Sequence, residues 1–163
     1  MKIWAVPIFL GGVLVLGSQA VVCQDWHGKQ SESIELTREH PSGYFALEAK
    51  TLAAAPPIVA LSFPKVENPG KIGMEAAAYL AYYSRAGAEE GKILIGNVAF
   101  YPSDQPAGFL LRASQAFAEL KEKHPNAANV RLLVQMKPIH RAQSWAGVRV
   151  TVAAPKWKDK PGE

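Results

Sequence analysis

Cysteine occurs once in this chain, at Cys23. No internal disulfide framework can form, so stability must rest on an ordinary apolar core. A mature chain of about 140 residues is long enough to supply one. Histidine pairs at ligand spacing are missing too. His27, His40, His124 and His140 lie far apart, and no two share the i, i+4 interval that points two ligands from one helical face. Four histidines are too few for a coupled dicopper centre built by this chain alone. A mononuclear site from convergent strands stays open, but turn or surface positions are the plainer reading. His40 and His124 each precede a proline, and His140 follows Pro138-Ile139.

Other catalytic signatures are also wanting. Nothing reads as a Gly-x-Ser-x-Gly elbow, and Gly11-Gly12 sits in an apolar run rather than in a phosphate-cradling loop. Glu35, Glu48, Glu67 and Glu75 could supply paired acids, yet nothing separates them from solvated strand and loop charges. The chain is expected not to be an enzyme.

Charge is absent between Lys2 and Asp25. A basic start, an apolar block from Ile3 to Leu16 and then Gly17-Ser18-Gln19-Ala20 fit a secretory signal over residues 1–20, cut after Ala20. That places the protein outside the cytoplasm, either periplasmic or secreted. An uncleaved anchor is the rival reading, since a membrane span needs roughly 20 residues. Pro7, Gly11, Gly12, Gly17, Ser18 and Gln19 shorten the apolar block and argue against it. Lipidation of Cys23 is a second rival, but the bulky Val22 directly before it is a poor match to a lipoprotein signal. The plainest reading of Cys23 is an inert residue on a flexible leader over 21–33.

The formal net charge of +4 is spread along the chain, with clusters only at Lys121/Lys123 and Lys156/Lys158/Lys160. Trp157 alone stands within the second, and neither has the series of interleaved aromatics that a single-strand nucleic-acid platform uses. Nucleic acid is not an expected partner.

What remains reads as β structure. The 163 residues are 48% hydrophobic and 20% charged, an ordinary globular composition for one domain. Ile34–Thr37 alternates, His40-Pro41-Ser42-Gly43 marks a turn, and Tyr44 to Leu52 alternates again with Phe45, Leu47 and Ala49 on one face. Ile58–Phe63 is a short apolar run bounded by prolines, hence a buried strand. Tyr79, Tyr82 and Tyr83 decide Ala76–Ser84 in favour of a strand over a helix. Arg85 to Lys92, with Gly87 and Gly91, suits a hairpin connection to Ile93–Phe100. Pro102 to Pro106 reads as a loop.

Ser114–Lys123 predicts the one helix, with Phe117 and Leu120 inward, stopped by His124-Pro125-Asn126. Val130 to Lys137 and Val148 to Val152 alternate cleanly, as strands with one buried face do. The expected fold is mainly β: an antiparallel β-sandwich or barrel-like sheet of about seven strands with one short helix, over residues 34–154. A disordered tail is expected over 155–163.

Most of the aromatics should fill the core. Adjacent Tyr82 and Tyr83 must point to opposite faces of a regular strand, so one can be outward. Tyr82, Tyr83, Tyr101 and Trp145 are the candidate partner-interface residues, on the argument that an exposed aromatic beside a loop anchors a partner.

Several segments resemble a known family in their order. Val59-Ala60-Leu61-Ser62-Phe63-Pro64 leads to Tyr79-Leu80-Ala81-Tyr82-Tyr83, then Gly96-Asn97-Val98-Ala99-Phe100-Tyr101-Pro102, then Ser114-Gln115-Ala116-Phe117-Ala118-Glu119-Leu120. Two strands close the series: Val130 to Pro138 and Gly147 to Val152. This succession, from Ile58 to Ala153, resembles the C-terminal β-sandwich domain of the plant-type polyphenol oxidases, in the tyrosinase and haemocyanin-like superfamily. In that family the domain packs over the copper site of an oxidase domain and shields it. The resemblance implies a freestanding accessory or caddie protein with no cofactor of its own. Its partner would be a type-3 copper oxidase on a separate chain, which would hold the copper. The alternative is a generic extracellular or periplasmic binding module for a glycan or an envelope protein.

Overall fold

Strict alternation of apolar and polar side chains is the pattern from which the molecule is built. It recurs in most of the strands of the computed structural model, which describes residues 32–127, 129–140 and 143–159. The first half contains β1 (Ser33–Thr37), β2 (Ser42–Ala46), α1 (Ala49–Ala54), β3 (Ile58–Phe63), β4 (Lys65–Glu67) and β5 (Met74–Tyr83). The second half contains β6 (Glu89–Phe100), β7 (Ala107–Arg112), α2 (Ser114–Lys123), β8 (Asn129–Pro138), β9 (Arg149–Ala153) and β10 (Lys156–Lys158). Every strand pairing is antiparallel. The chain is mainly β and sandwich-like, as its alternation predicts. The strands among the described residues number ten rather than about seven.

Three sheets form, ordered β1-β9-β4, β10-β3-β7 and β2-β8-β5-β6. Their inner faces meet in one core. Val59, Leu61 and Phe63 of β3, Ala76, Ala78 and Leu80 of β5, Leu132 and Val134 of β8, and Val150 and Val152 of β9 are all nearly inaccessible there. Phe63 joins the layers, its ring edge-on to Phe100 at 4.6 Å and to Phe109 at 5.9 Å. Such pairs contribute roughly 0.5–1.5 kcal/mol beyond the area they bury. Helix α2 buries Ala116, Phe117 and Leu120 against the same core.

Three departures from expectation have local causes. The alternation from Tyr44 stops at Ala46, and Ala49–Ala54 forms a short helix. Its sequence, Ala-Lys-Thr-Leu-Ala-Ala, is rich in the strongest helix former. Ala55 ends it in the left-handed region, with its N–H donating to Thr51 O at 2.9 Å. Secondly, the segment after Pro155 is not wholly a loose tail: Lys156–Lys158 pairs with β3, Trp157 opposite Val59. The flanking lysines disguise a three-residue alternation whose one apolar side chain packs on Phe117, ring centroids 5.5 Å apart. Thirdly, β4 and β7 are added strands, β7 pairing along its whole length with β3. Of the expected signal over 1–20 and leader over 21–33, residues 1–31, with Cys23 and His27, lie outside the described residues, while Ser33 already belongs to β1, paired with Ala153 of β9.

The hairpin between β5 and β6 forms as predicted, with a tighter turn. Gly87, at φ +84°, donates its N–H to Ser84 O at 3.0 Å, and Ser84 donates to Ala88 O at 2.9 Å. Glycine supplies the positive φ that this turn needs. Gly91 lies in β6 instead, beneath the Tyr82 ring. A Cβ at Gly91 would collide with the Tyr82 hydroxyl and stand 2.8 Å from its Cζ. Gly91→Ala should therefore push Tyr82 off its stack with His124 (centroids 4.1 Å apart) and destabilise by about 1–3 kcal/mol. Gly108→Ala, whose Cβ would meet nothing closer than Leu61 O at 3.8 Å, should stay within about 0.5 kcal/mol of wild type. Urea denaturation of the pair checks this, and equal midpoints would overturn it.

Candidate interaction surface

The pairing register decides which side chains share the outward face of the sheet β2-β8-β5-β6. With Phe45, Leu80 and Leu132 turned into the core, their strand neighbours must face away. Tyr44 stands opposite Leu133, Leu133 opposite Tyr79, and Tyr79 opposite Leu94. An apolar row thus crosses all four strands. Its ends are open, Tyr44 at 41% and Leu94 at 50% exposure, while Leu133 in the middle is buried. The next row runs Ala46, Arg131, Ala81, Lys92, and the row on the other side Ser42, Gln135, Ala77, Asn97.

Small residues in β5 let the long side chains lie flat. Arg131 places its guanidinium 4.8 Å from the Tyr83 ring centre, and Lys92 its ammonium 4.5 Å from that of Tyr79. Lys92 also donates to Gln135 Oε1 at 3.5 Å. The Tyr44 and Tyr83 rings meet edge to face at 6.5 Å, and both hydroxyls donate to Glu89 Oε2 at 3.4 Å. Tyr79 and Tyr83 thereby join Ala81 and Leu133 in a second, smaller apolar cluster on this face. Burial raises the Tyr83 phenol well above its ordinary value, and the neighbouring Tyr44 and Glu89 push it further the same way.

The four candidate aromatics fall in three places. Tyr82 and Tyr83 do point to opposite faces. Tyr82 is buried in the main core on His124, and Tyr83 is 6% exposed within the outward cluster. Tyr101, at 98% exposure, and half-buried Trp145 belong to the loops at the other end of β5. Asn68 ties those loops together. Its amide donates to Ile72 O at 2.7 Å and to Ser103 O at 2.8 Å, and its Oδ1 accepts from Ile72 N at 3.0 Å. Lys71 and Asp104 pair across the same junction at 3.2 Å. Tyr44, Leu94, Lys92 and Arg131 were not legible as site residues. Their only sequence signal is that each neighbours an inward apolar residue in its strand.

His40 and His140 are exposed. Among the described residues no group of three or more His, Cys, Asp or Glu side chains is placed to hold a metal. Among them, too, no helix is long and apolar enough to cross a membrane. No protein-family model matches the chain, and no curated protein matches it either.

Two outcomes follow from these groups. Asn68→Ala leaves three buried backbone groups without their partner and should cost about 2–4 kcal/mol, read by chemical denaturation. For Tyr83, the folded phenol holds its proton above the pH at which the unfolded one loses it, near 10. The stability it contributes is therefore complete below about pH 10 and is lost as pH rises further. Urea midpoints between pH 8 and pH 11 should fall less steeply in Tyr83→Phe than in wild type. Identical slopes would show that Tyr83 is not the group responsible.

Proposed function

We propose that this protein is a non-catalytic, exported binding module, and that it recognises a protein partner through the outward face of the sheet β2-β8-β5-β6. The single observation that carries this reading is the row Tyr44, Leu133, Tyr79, Leu94. It is an apolar strip with both ends open, bordered by Arg131 and Lys92 stacked on tyrosines. Partly exposed aromatics with a charged border are the composition of interaction hot spots. The rings are already held by neighbours, so little side-chain entropy is lost on binding. Export rests on the apolar, uncharged N-terminal run.

The experiment is a comparison of variants in affinity capture from the native extract. Wild type and Tyr101→Ala should retain the same partner, and Tyr44→Ala combined with Leu94→Asp should lose it at least tenfold. A partner retained equally by all three would refute this face as the binding surface.

A second reading, through the loops that carry Tyr101 rather than that sheet face, makes the partner a tyrosinase-type copper oxidase, covered by a loop of this protein. Its support is the order of segments quoted above and the full exposure of Tyr101 at the loop end, where a side chain could enter an active-site mouth. Mixing the purified protein with such an oxidase should slow phenol oxidation or alter copper loading. Absence of both binding and any effect on activity would end that reading.

A further inference from the structure

A second surface lies on another side of the core, and its chemistry is different. In the sheet β10-β3-β7, Val59, Leu61, Trp157, Phe109 and Leu111 point inward, so the alternate positions point out. The register places Lys158 and Arg112 on either side of Ile58, and Lys156 and Leu110 on either side of Ala60. Arg112 and Lys158 are separated by two strand spacings, about 10 Å, and Lys156 is one pleat repeat, about 7 Å, from Lys158. Three cations therefore stand on one sheet face around a floor made by Ile58 and Ala60.

No acidic residue shares that register. None of Arg112, Lys156 and Lys158 takes part in an ion pair among the described residues. Asp159 follows only after the strand ends. Beside the cations, Leu110 is 55% exposed. Five of the other lysines, Lys50, Lys65, Lys71, Lys123 and Lys137, each have a carboxylate within 4 Å. Arg112, Lys156 and Lys158 thus stand together on one sheet face, with the exposed apolar Leu110 among them.

We infer that the outward face of β10-β3-β7 docks the protein on an anionic lipid surface, Arg112, Lys156 and Lys158 meeting the headgroups and Leu110 reaching the acyl boundary. Charge complementarity selects the occupant. Flexible lysine and arginine stems let the charges reach headgroups while their methylenes cover apolar surface. Gathered on one face of the sheet, the three charges can meet an extended anionic surface together. Each cation near such a surface raises partitioning roughly fivefold, so three give on the order of 100-fold. The reading is independent of the partner-binding face, which belongs to a different sheet.

The test is flotation of the full chain with vesicles of phosphatidylcholine alone and of phosphatidylcholine with phosphatidylglycerol, at low and high salt. The variants are R112E/K156E/K158E, its neutral counterpart R112Q/K156Q/K158Q, and Leu110→Ser. All share the wild-type N terminus, so its own membrane affinity cancels. Wild type should bind anionic vesicles in a salt-sensitive way, the neutral triple variant should lose roughly 100-fold, and Leu110→Ser should lose a few-fold. The neutral variant carries the test if charge reversal disturbs folding, as judged by near-ultraviolet circular dichroism. Equal binding to both vesicle types, or equal binding by wild type and the neutral variant, would overturn the inference. So would binding to a soluble polyanion such as dextran sulfate with none to vesicles, which would assign the face to an anionic polysaccharide.

Discussion

The pairing of β5 with β8 is the constraint on which the rest of the molecule depends. Ten residue pairs run without interruption from Met74 opposite Pro138 to Tyr83 opposite Asn129. Because side chains alternate with period two, a slip of β8 by one residue would turn Leu132, Val134 and Met136 to solvent and Arg131, Gln135 and Lys137 into the core. Burying three such polar groups without partners would cost more than the fold can spare. The register is thus decided by hydrophobic burial, and the outward rows follow from it without further choice.

Alanine in β5 is the second element of that constraint. Ala76 and Ala78 leave room on the inner face for the Phe63, Phe100 and Phe109 rings to pack between layers. Ala77 and Ala81 leave room on the outer face for Arg131 and Lys92 to lie across Tyr83 and Tyr79. One strand therefore supports a dense core on one side and a structured, partly polar surface on the other. The two candidate binding faces differ because their strands differ. The β2-β8-β5-β6 face is built on tyrosines with charges laid over them, while the β10-β3-β7 face sets Arg112, Lys156 and Lys158 around Ile58 and Ala60.

Much of the architecture could be read from the chain in advance, and the particular elements show why. Val130 to Lys137 and Val148 to Val152 alternate over enough residues to admit only strand. Ser114–Lys123 carries a 3.6-residue period bounded by a proline stop, and it forms a helix over those residues. The failures are short or disguised elements. Lys156-Trp157-Lys158 is too brief to show a period, and its membership in a sheet depends on Val59 and Phe117 being nearby. Residues Ala49–Ala54 continue an alternation by composition yet take the helical geometry that alanine favours.

The sequence by itself determined the class of fold, the helix, the main hairpin and the fact that Tyr82 and Tyr83 look in opposite directions. These are consequences of local periodicity and turn chemistry, which act over a few neighbouring residues. Only the tertiary structure decided which direction was the core, so only it could bury Tyr82 on His124 and leave Tyr101 bare. It also brought Tyr44 and Leu94, fifty residues apart in the chain, onto one row, and Arg112 and Lys158 onto another. Such rows are set by the register between distant strands. That register comes from the packing of both sheet faces together, a quantity no single segment of the chain contains.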